Sequence, residues 1–248
     1  RLEGVNFSLP KLMRVRHMDN MHNISLHSFL LFMLGSLSLL AEKSLFDGKS
    51  LDGWDGDPRF WSVKKGAIVG QTTEKNPTKG NTFLIWKGGV LKDFDLTLDC
   101  KIDAGNSGIQ YRSFVKPGKH DGWRIGGYQA DFEAGDKFNG ICYGEAFRGI
   151  LSMRGDKTTL SLNDKGKLQK KVEKFGDTNE LGKAVKKGKW NRYRITAKGY
   201  TFTHYMNGVK MSEVIDNDEK TRRADGLLAF QVHQGPPMKV YFKNIVLN

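Results

Sequence analysis

Beyond Phe60 the chain divides into short runs in which apolar and polar residues alternate one for one, set apart by Gly, Asn-Gly and Asp-Gly punctuation. Successive side chains of a strand point to opposite faces, so this period of two predicts half-buried antiparallel strands. Phe60 to Val63, Ala67 to Gln71, Leu84 to Trp86, Phe94 to Ile102, Gly108 to Phe114, Tyr128 to Phe132, Gly149 to Met153, Trp190 to Ala197, Phe202 to Met206, Leu227 to Val232 and Val240 to Val246 all read this way. After Ala41 no stretch carries apolar residues at helical spacing. Many short strands with turns between them predict an all-β sandwich or barrel, and the roughly two hundred residues from Glu42 on suit one such domain, 42–248.

The segment before it reads as a leader. Lys11, Arg14 and Arg16 precede a twelve-residue apolar run, Phe29 to Leu40, which ends at Ala41 before the polar Glu42 and Lys43. A secretory signal peptide has this layout, and the run is shorter than the ~20 residues that span a bilayer. Cleavage is expected near Ala41, leaving no stable membrane span, and the mature chain is expected in the periplasm or secreted. A start at Met13, Met18 or Met21 would leave residues 1–20 wholly or partly untranslated.

The formal net charge of +13 raises the question of nucleic acid. Outside the leader, however, the lysines concentrate between Lys157 and Lys189, mixed with Asp164, Glu173, Asp177 and Glu180 and with no aromatic residue among them except Phe175. A solvated loop face is the expectation there, and no nucleic-acid partner. Cys100 and Cys142 both fall inside strand-like runs, as buried thiols or as one bridge, and no Cys/His spacing suggests zinc.

Alternation also assigns faces. Phe94, Leu96, Leu98, Cys100 and Ile102 share a core side; Ile109 and Tyr111 leave Asn106, Gln110 and Arg112 on the opposite one; Tyr128, Ala130 and Phe132 leave Gln129 and Asp131; Leu228, Phe230 and Val232 leave Gln231 and His233. If these runs share a sheet, Gln110, Arg112, Gln129, Asp131, Gln231 and His233 converge on one concave polar face. Amides and a guanidinium match the vicinal hydroxyls of a sugar, and Trp54, Trp61, Trp86, Trp123 or Tyr143 at the rim can cover a pyranose. Any one of these residues taken singly reads as a solvated outer side chain; their convergence is what points to a sugar. Glu145, in Tyr143-Gly144-Glu145, is a second carboxylate beside Asp131, and such a pair can serve as acid and base. His233 is the alternative base. Gly126-Gly127 reads as a strand-entry turn and Asn207-Gly208 as a two-residue hairpin turn.

Ser44-Leu45-Phe46-Asp47-Gly48-Lys49-Ser50-Leu51-Asp52-Gly53-Trp54, Gly66-Ala67-Ile68-Val69-Gly70, Asn106-Ser107-Gly108-Ile109-Gln110-Tyr111-Arg112, Gly127-Tyr128-Gln129-Ala130-Asp131, Tyr143-Gly144-Glu145, Trp190-Asn191, Asn207-Gly208 and Val240-Tyr241-Phe242-Lys243-Asn244-Ile245 follow one another as in the 3-keto-disaccharide hydrolase domain family, which the chain resembles from Leu45 to Leu247. The resemblance implies a concanavalin-like jelly-roll β-sandwich of two antiparallel sheets, export from a bacterial cell, and action on glycosides already oxidised to a ketone at carbon 3. Such a ketone acidifies the hydrogen on carbon 2, so a base can remove it and the enolate can expel the group on carbon 1, with water added afterwards. In that scheme Asp131 or His233 is the base, Arg112 with Gln129 steadies the enolate oxygen, and Glu145 assists the leaving group, with Gln110, Tyr143 and Gln231 among the groups that bind the glycoside. A divalent metal ion held by Asp131 and Glu145 ranks second as the polarising group. The competing reading is a non-catalytic carbohydrate-binding module on the same face; a structural envelope domain is a third.

Overall fold

The computed structural model describes residues 42–248; the expected leader, its cleavage site and the start codons lie outside them. The strands, in chain order, are β1 (Lys43–Ser44), β2 (Trp54–Asp55), β3 (Trp61–Lys64), β4 (Ala67–Gln71), β5 (Thr82–Trp86), β6 (Phe94–Ala104), β7 (Asn106–Val115), β8 (Ile125–Glu133), β9 (Cys142–Glu145), β10 (Gly149–Ser152), β11 (Asp156–Leu162), β12 (Leu168–Lys174), β13 (Asn191–Lys198), β14 (Thr201–Met206), β15 (Val209–Asp216), β16 (Leu227–Val232) and β17 (Lys239–Leu247). A short α-helix, α1 (Thr178–Gly182), starts on an Asp177 cap whose carboxylate accepts from the Asn179 and Glu180 amides.

The strands form two sheets. The first runs β12-β11-β15-β14-β13-β6-β17-β4-β3, with β1 also on β17, and the second runs β10-β9-β8-β7-β16-β5-β2. All pairings are antiparallel apart from β11 with β15. The apolar sides foreseen for β6, β8 and β16 meet between the sheets: Phe230 of β16 stacks on Phe242 of β17 with ring centroids 4.0 Å apart, and Tyr128 of β8 lies 4.4 Å from Phe202 of β14. These rings, with Leu96, Leu98 and Ile195, form one core of fully buried side chains. The architecture is the concanavalin-like jelly-roll sandwich of two largely antiparallel sheets.

Three expectations are corrected. The first part of the lysine-rich stretch, as far as Lys174, is no loop: β11 and β12 form a hairpin there, with β12 as an edge strand. Its polar residues are exposed on both sides, so it carries no alternation to read, and lysines on an edge discourage pairing with other chains. Gly126 and Gly127 lie inside β8; a Cβ on Gly127 would sit 2.7 Å from the Ser113 Cα, so glycine lets β7 and β8 close up. Trp54, Trp61 and Trp86 belong to the core, not to a rim. Cys100 and Cys142 are free, buried thiols. Burial pushes both up, Cys142 to about 12, which leaves them protonated and poor nucleophiles.

Candidate functional site

A cleft of about 570 Å³ opens on the outer face of the second sheet, within the range of small-ligand pockets. β8 forms its floor with Gln129, Asp131 and Glu133; β9 adds Tyr143 and Glu145; the β10 edge adds Ile150; and loops bring Asn81, Arg124, Phe138, His233 and Gln234. β7 contributes Asn106. Of the polar residues on this face Asn81, Gln129, Asp131 and Glu145 are buried, Asp131 being 6% exposed and Glu145 4%.

The two carboxylates have different neighbours. Glu145 Oε1 pairs with the Arg124 guanidinium at 2.6 Å and accepts from Asn81 Nδ2 at 3.1 Å, while Gln231 Nε2 donates to Oε2 at 3.4 Å. Asp131 accepts from the amides of Gln129 and Asn106. Burial pushes its carboxyl from the ordinary 3.8 to about 8; the Gln129 and Asn106 amides oppose the rise, and the negative charge of Glu145 adds to it. An aspartate tuned in this way is protonated or ionised within the neutral range, as a proton-transfer group requires.

That shift has a sign in stability. Between about pH 4 and pH 8 native Asp131 holds a proton that the unfolded chain releases, so its contribution to stability falls as pH rises through this window. Asp131→Asn removes the titration. Its melting temperature is expected to exceed that of the wild type by several degrees at pH 9 and to match it near pH 4, as read by calorimetry across pH; parallel curves for the two proteins would refute the shift.

Of the residues read from sequence, Gln129, Asp131, Tyr143, Glu145 and His233 line the cleft. Tyr143 is half-buried, and burial together with Glu145 and Asp131 holds its phenol above the usual value. The ring of His233 sits against the Gln234 carbonyl. Gln110 and Gln231 are fully buried and not among the residues lining the cleft, Gln110 bonded to its cross-strand neighbour Gln129 and Gln231 to Glu145.

Arg112 is a correction. β7 carries one extra residue between Tyr111 and Phe114 against β8 and between Gln110 and Ser113 against β16, and Arg112 sits in that bulge with φ 44°. A bulge reverses the alternation, so Arg112 turns to the same side as Tyr111. It is buried there, donating to the carbonyls of Lys92, Gly199 and Arg223 and to Asp93, with its guanidinium 5.0 Å from the Phe202 ring. The guanidinium of the cleft is instead Arg124, which also donates to the Asn81 carbonyl at 3.2 Å. Arg124 and Asn81 escaped sequence reading because both lie in loops, where period two assigns no face. Trp123 is tied to Asp55 at 2.8 Å and packs beside Phe83 and Ile125, away from the cleft. Tyr143 is therefore the one expected aromatic among those lining it.

The pair proposed for a divalent cation does not fit one. Glu145 faces the Arg124 cation and Asp131 faces amides, and among the described residues no three His, Cys, Asp or Glu side chains gather as a metal-binding group.

The fold is shared with two candidate glycosyl hydrolases of Parabacteroides distasonis. One is 19% identical, with 84% of this chain and 98% of that one covered at a TM-score of 0.53; the other is 23% identical, with 84% and 93% covered at 0.50. No curated protein sequence matches the chain significantly. The family model that matches, over residues 41–248, is the 3-keto-alpha-glucoside-1,2-lyase-like domain.

Proposed function

The chain belongs to the 3-keto-alpha-glucoside-1,2-lyase-like domain family, and we propose on that premise that it cleaves 3-keto glycosides by elimination across carbons 1 and 2. Asp131 takes the proton from carbon 2, and the C–H electrons form the C2–C3 double bond of an enolate. The enolate then collapses: a double bond forms between carbons 1 and 2, the ketone returns, and the C1–O electrons leave with the aglycone, which is protonated to the alcohol. Water adds to the unsaturated sugar afterwards to give the free 3-keto sugar.

Arg124 takes the role that sequence reading gave to Arg112. A guanidinium carries five N–H donors, more than its contacts to Glu145 and Asn81 use, and an oxyanion in a buried site is stabilised strongly by such a donor. Glu145 holds Arg124 in place, and it is accordingly no proton donor; the imidazole of His233 delivers the proton to the departing oxygen. The expected leader makes the protein an exported one, which N-terminal sequencing of the mature form would check.

The observation that carries this reading is the unequal carboxylate pair: Glu145 on a cation, and Asp131 on amides with its carboxyl at about 8. It is tested by incubating the domain with a 3-keto glucoside bearing a chromogenic aglycone, beside the unoxidised glucoside, with and without chelator. Release from the keto substrate alone, unaffected by chelator, is expected. Binding of unoxidised sugar with no release from either substrate would replace the enzyme with a binding module.

A further inference from the structure

A chain of buried hydrogen bonds ends on Asp131. The Ser113 hydroxyl donates to Gln110 Oε1 at 2.7 Å, with a longer contact to the Tyr111 carbonyl at 3.1 Å. Gln110 Nε2 donates to Gln129 Oε1 at 2.6 Å, and Gln129 Nε2 donates to Asp131 Oδ1. Gln110, Ser113 and Gln129 are all exposed by 2% or less, so water does not compete for these groups.

The chain has a direction. A primary amide has an accepting end and a donating end, and with Gln110 Oε1 turned to Ser113 its nitrogen must face Gln129, whose own nitrogen is then left for Asp131. Flipping one amide alone would set like ends against each other, and flipping both would require the Ser113 hydroxyl to donate to the Tyr111 carbonyl and Asp131 to carry a proton. An ionised carboxylate only accepts, so the direction favours the ionised form of Asp131. The backbone makes room for this arrangement: a Cβ on Gly108, opposite Asp131 in the β7–β8 register, would lie 2.4 Å from the Gln129 side chain.

We propose that Gln110 and Ser113 are positioning residues for the base: acting through Gln129, they keep an N–H on Asp131 Oδ1 and so hold a buried carboxylate ready to accept a proton. The inference rests on Asp131 being the group that takes the carbon-2 proton. The other groups around Asp131 act differently. Glu145 and Glu133 oppose its ionisation by charge, Asn106 favours it by a hydrogen bond, Tyr143, Cys142 and Tyr193 are held protonated by burial, Arg124 is engaged by Glu145, and His233 lines the same cleft.

The test is kcat/KM against pH on the chromogenic 3-keto glucoside for Gln110→Leu and Ser113→Ala, with Asp131→Asn alongside. Without the directed N–H the carboxylate holds its proton more tightly, so the acidic limb is expected to move upward, by about one pH unit for Gln110→Leu and about half that for Ser113→Ala. At pH 7 the first change appears as a roughly tenfold loss. A merely structural role would lower activity at every pH and leave the limb in place. Ser113→Ala deletes a single oxygen and decides the matter should Gln110→Leu not fold. An unmoved limb with Asp131→Asn inactive overturns the positioning role alone; full turnover by Asp131→Asn overturns the base assignment and this inference with it.

Discussion

Asp131→Asn is expected to lower kcat on a 3-keto glucoside by about 10²- to 10⁴-fold, the usual contribution of a positioned general base. Asparagine keeps the shape of the side chain and can still accept from Gln129 through its carbonyl oxygen, so fold and cleft are retained while the proton acceptor is lost. KM is expected to change little, since the carboxylate serves proton transfer and the surrounding amides and guanidinium serve binding. In the wild type, kcat/KM should climb with pH and level off above about 8, because Asp131 must shed its proton before it can take one from carbon 2. The variant's residual activity should lack that limb. Steady-state rates between pH 5 and 10 measure both. An active Asp131→Asn protein with an inactive His233→Ala counterpart would transfer the role of base to the histidine, which lines the same cleft.

Arg112→Met is expected to lower the melting temperature by roughly 10 °C while leaving kcat/KM of the folded protein within a few-fold of wild type. The guanidinium satisfies the carbonyls of Lys92, Gly199 and Arg223 and pairs with Asp93 at 3.0 Å. Methionine fills much of the space and satisfies none of them. A buried carbonyl left without a donor costs about 1 to 3 kcal/mol, and three of them together, partly relaxed, amount to about 3 to 5 kcal/mol. At about 2 to 4 °C per kcal/mol for a domain of this size, the shift follows. Calorimetry and turnover on one preparation separate the alternatives: loss of turnover at an unchanged melting temperature would return Arg112 to the sugar face.

The contrast between Asp131 and Arg112 shows how far a strand's period carries. Both were assigned a face by counting alternate residues from a core aromatic. In β8 the count runs unbroken from Tyr128 to Phe132, and Gln129 and Asp131 lie where it puts them. In β7 it crosses a bulge after Tyr111, and one extra residue suffices to turn Arg112 inward. Nothing in Gln-Tyr-Arg-Ser marks the insertion, because Arg112 adopts a positive φ without the glycine that usually signals one. The tryptophans repeat the lesson. An indole suits a sugar-covering rim or a core equally well, and for Trp54, stacked 5.0 Å from Phe230, the packing of the two sheets decided for the core.

The alternating strands, most of their core sides and the Asn207-Gly208 hairpin were therefore determined by the amino-acid order itself, since a period of two and a tight turn are local properties of a few adjacent residues; the β11–β12 hairpin, whose edge strand does not alternate, was not. Which guanidinium reaches the cleft, how deeply Asp131 is buried, and which amides hold it were decided only by the tertiary structure. Those properties depend on the loops that bring Asn81 and Arg124 to the cleft and on hydrogen bonds between Ser113, Gln110, Gln129 and Asp131 across two strands, and they arise from distances that no local pattern encodes.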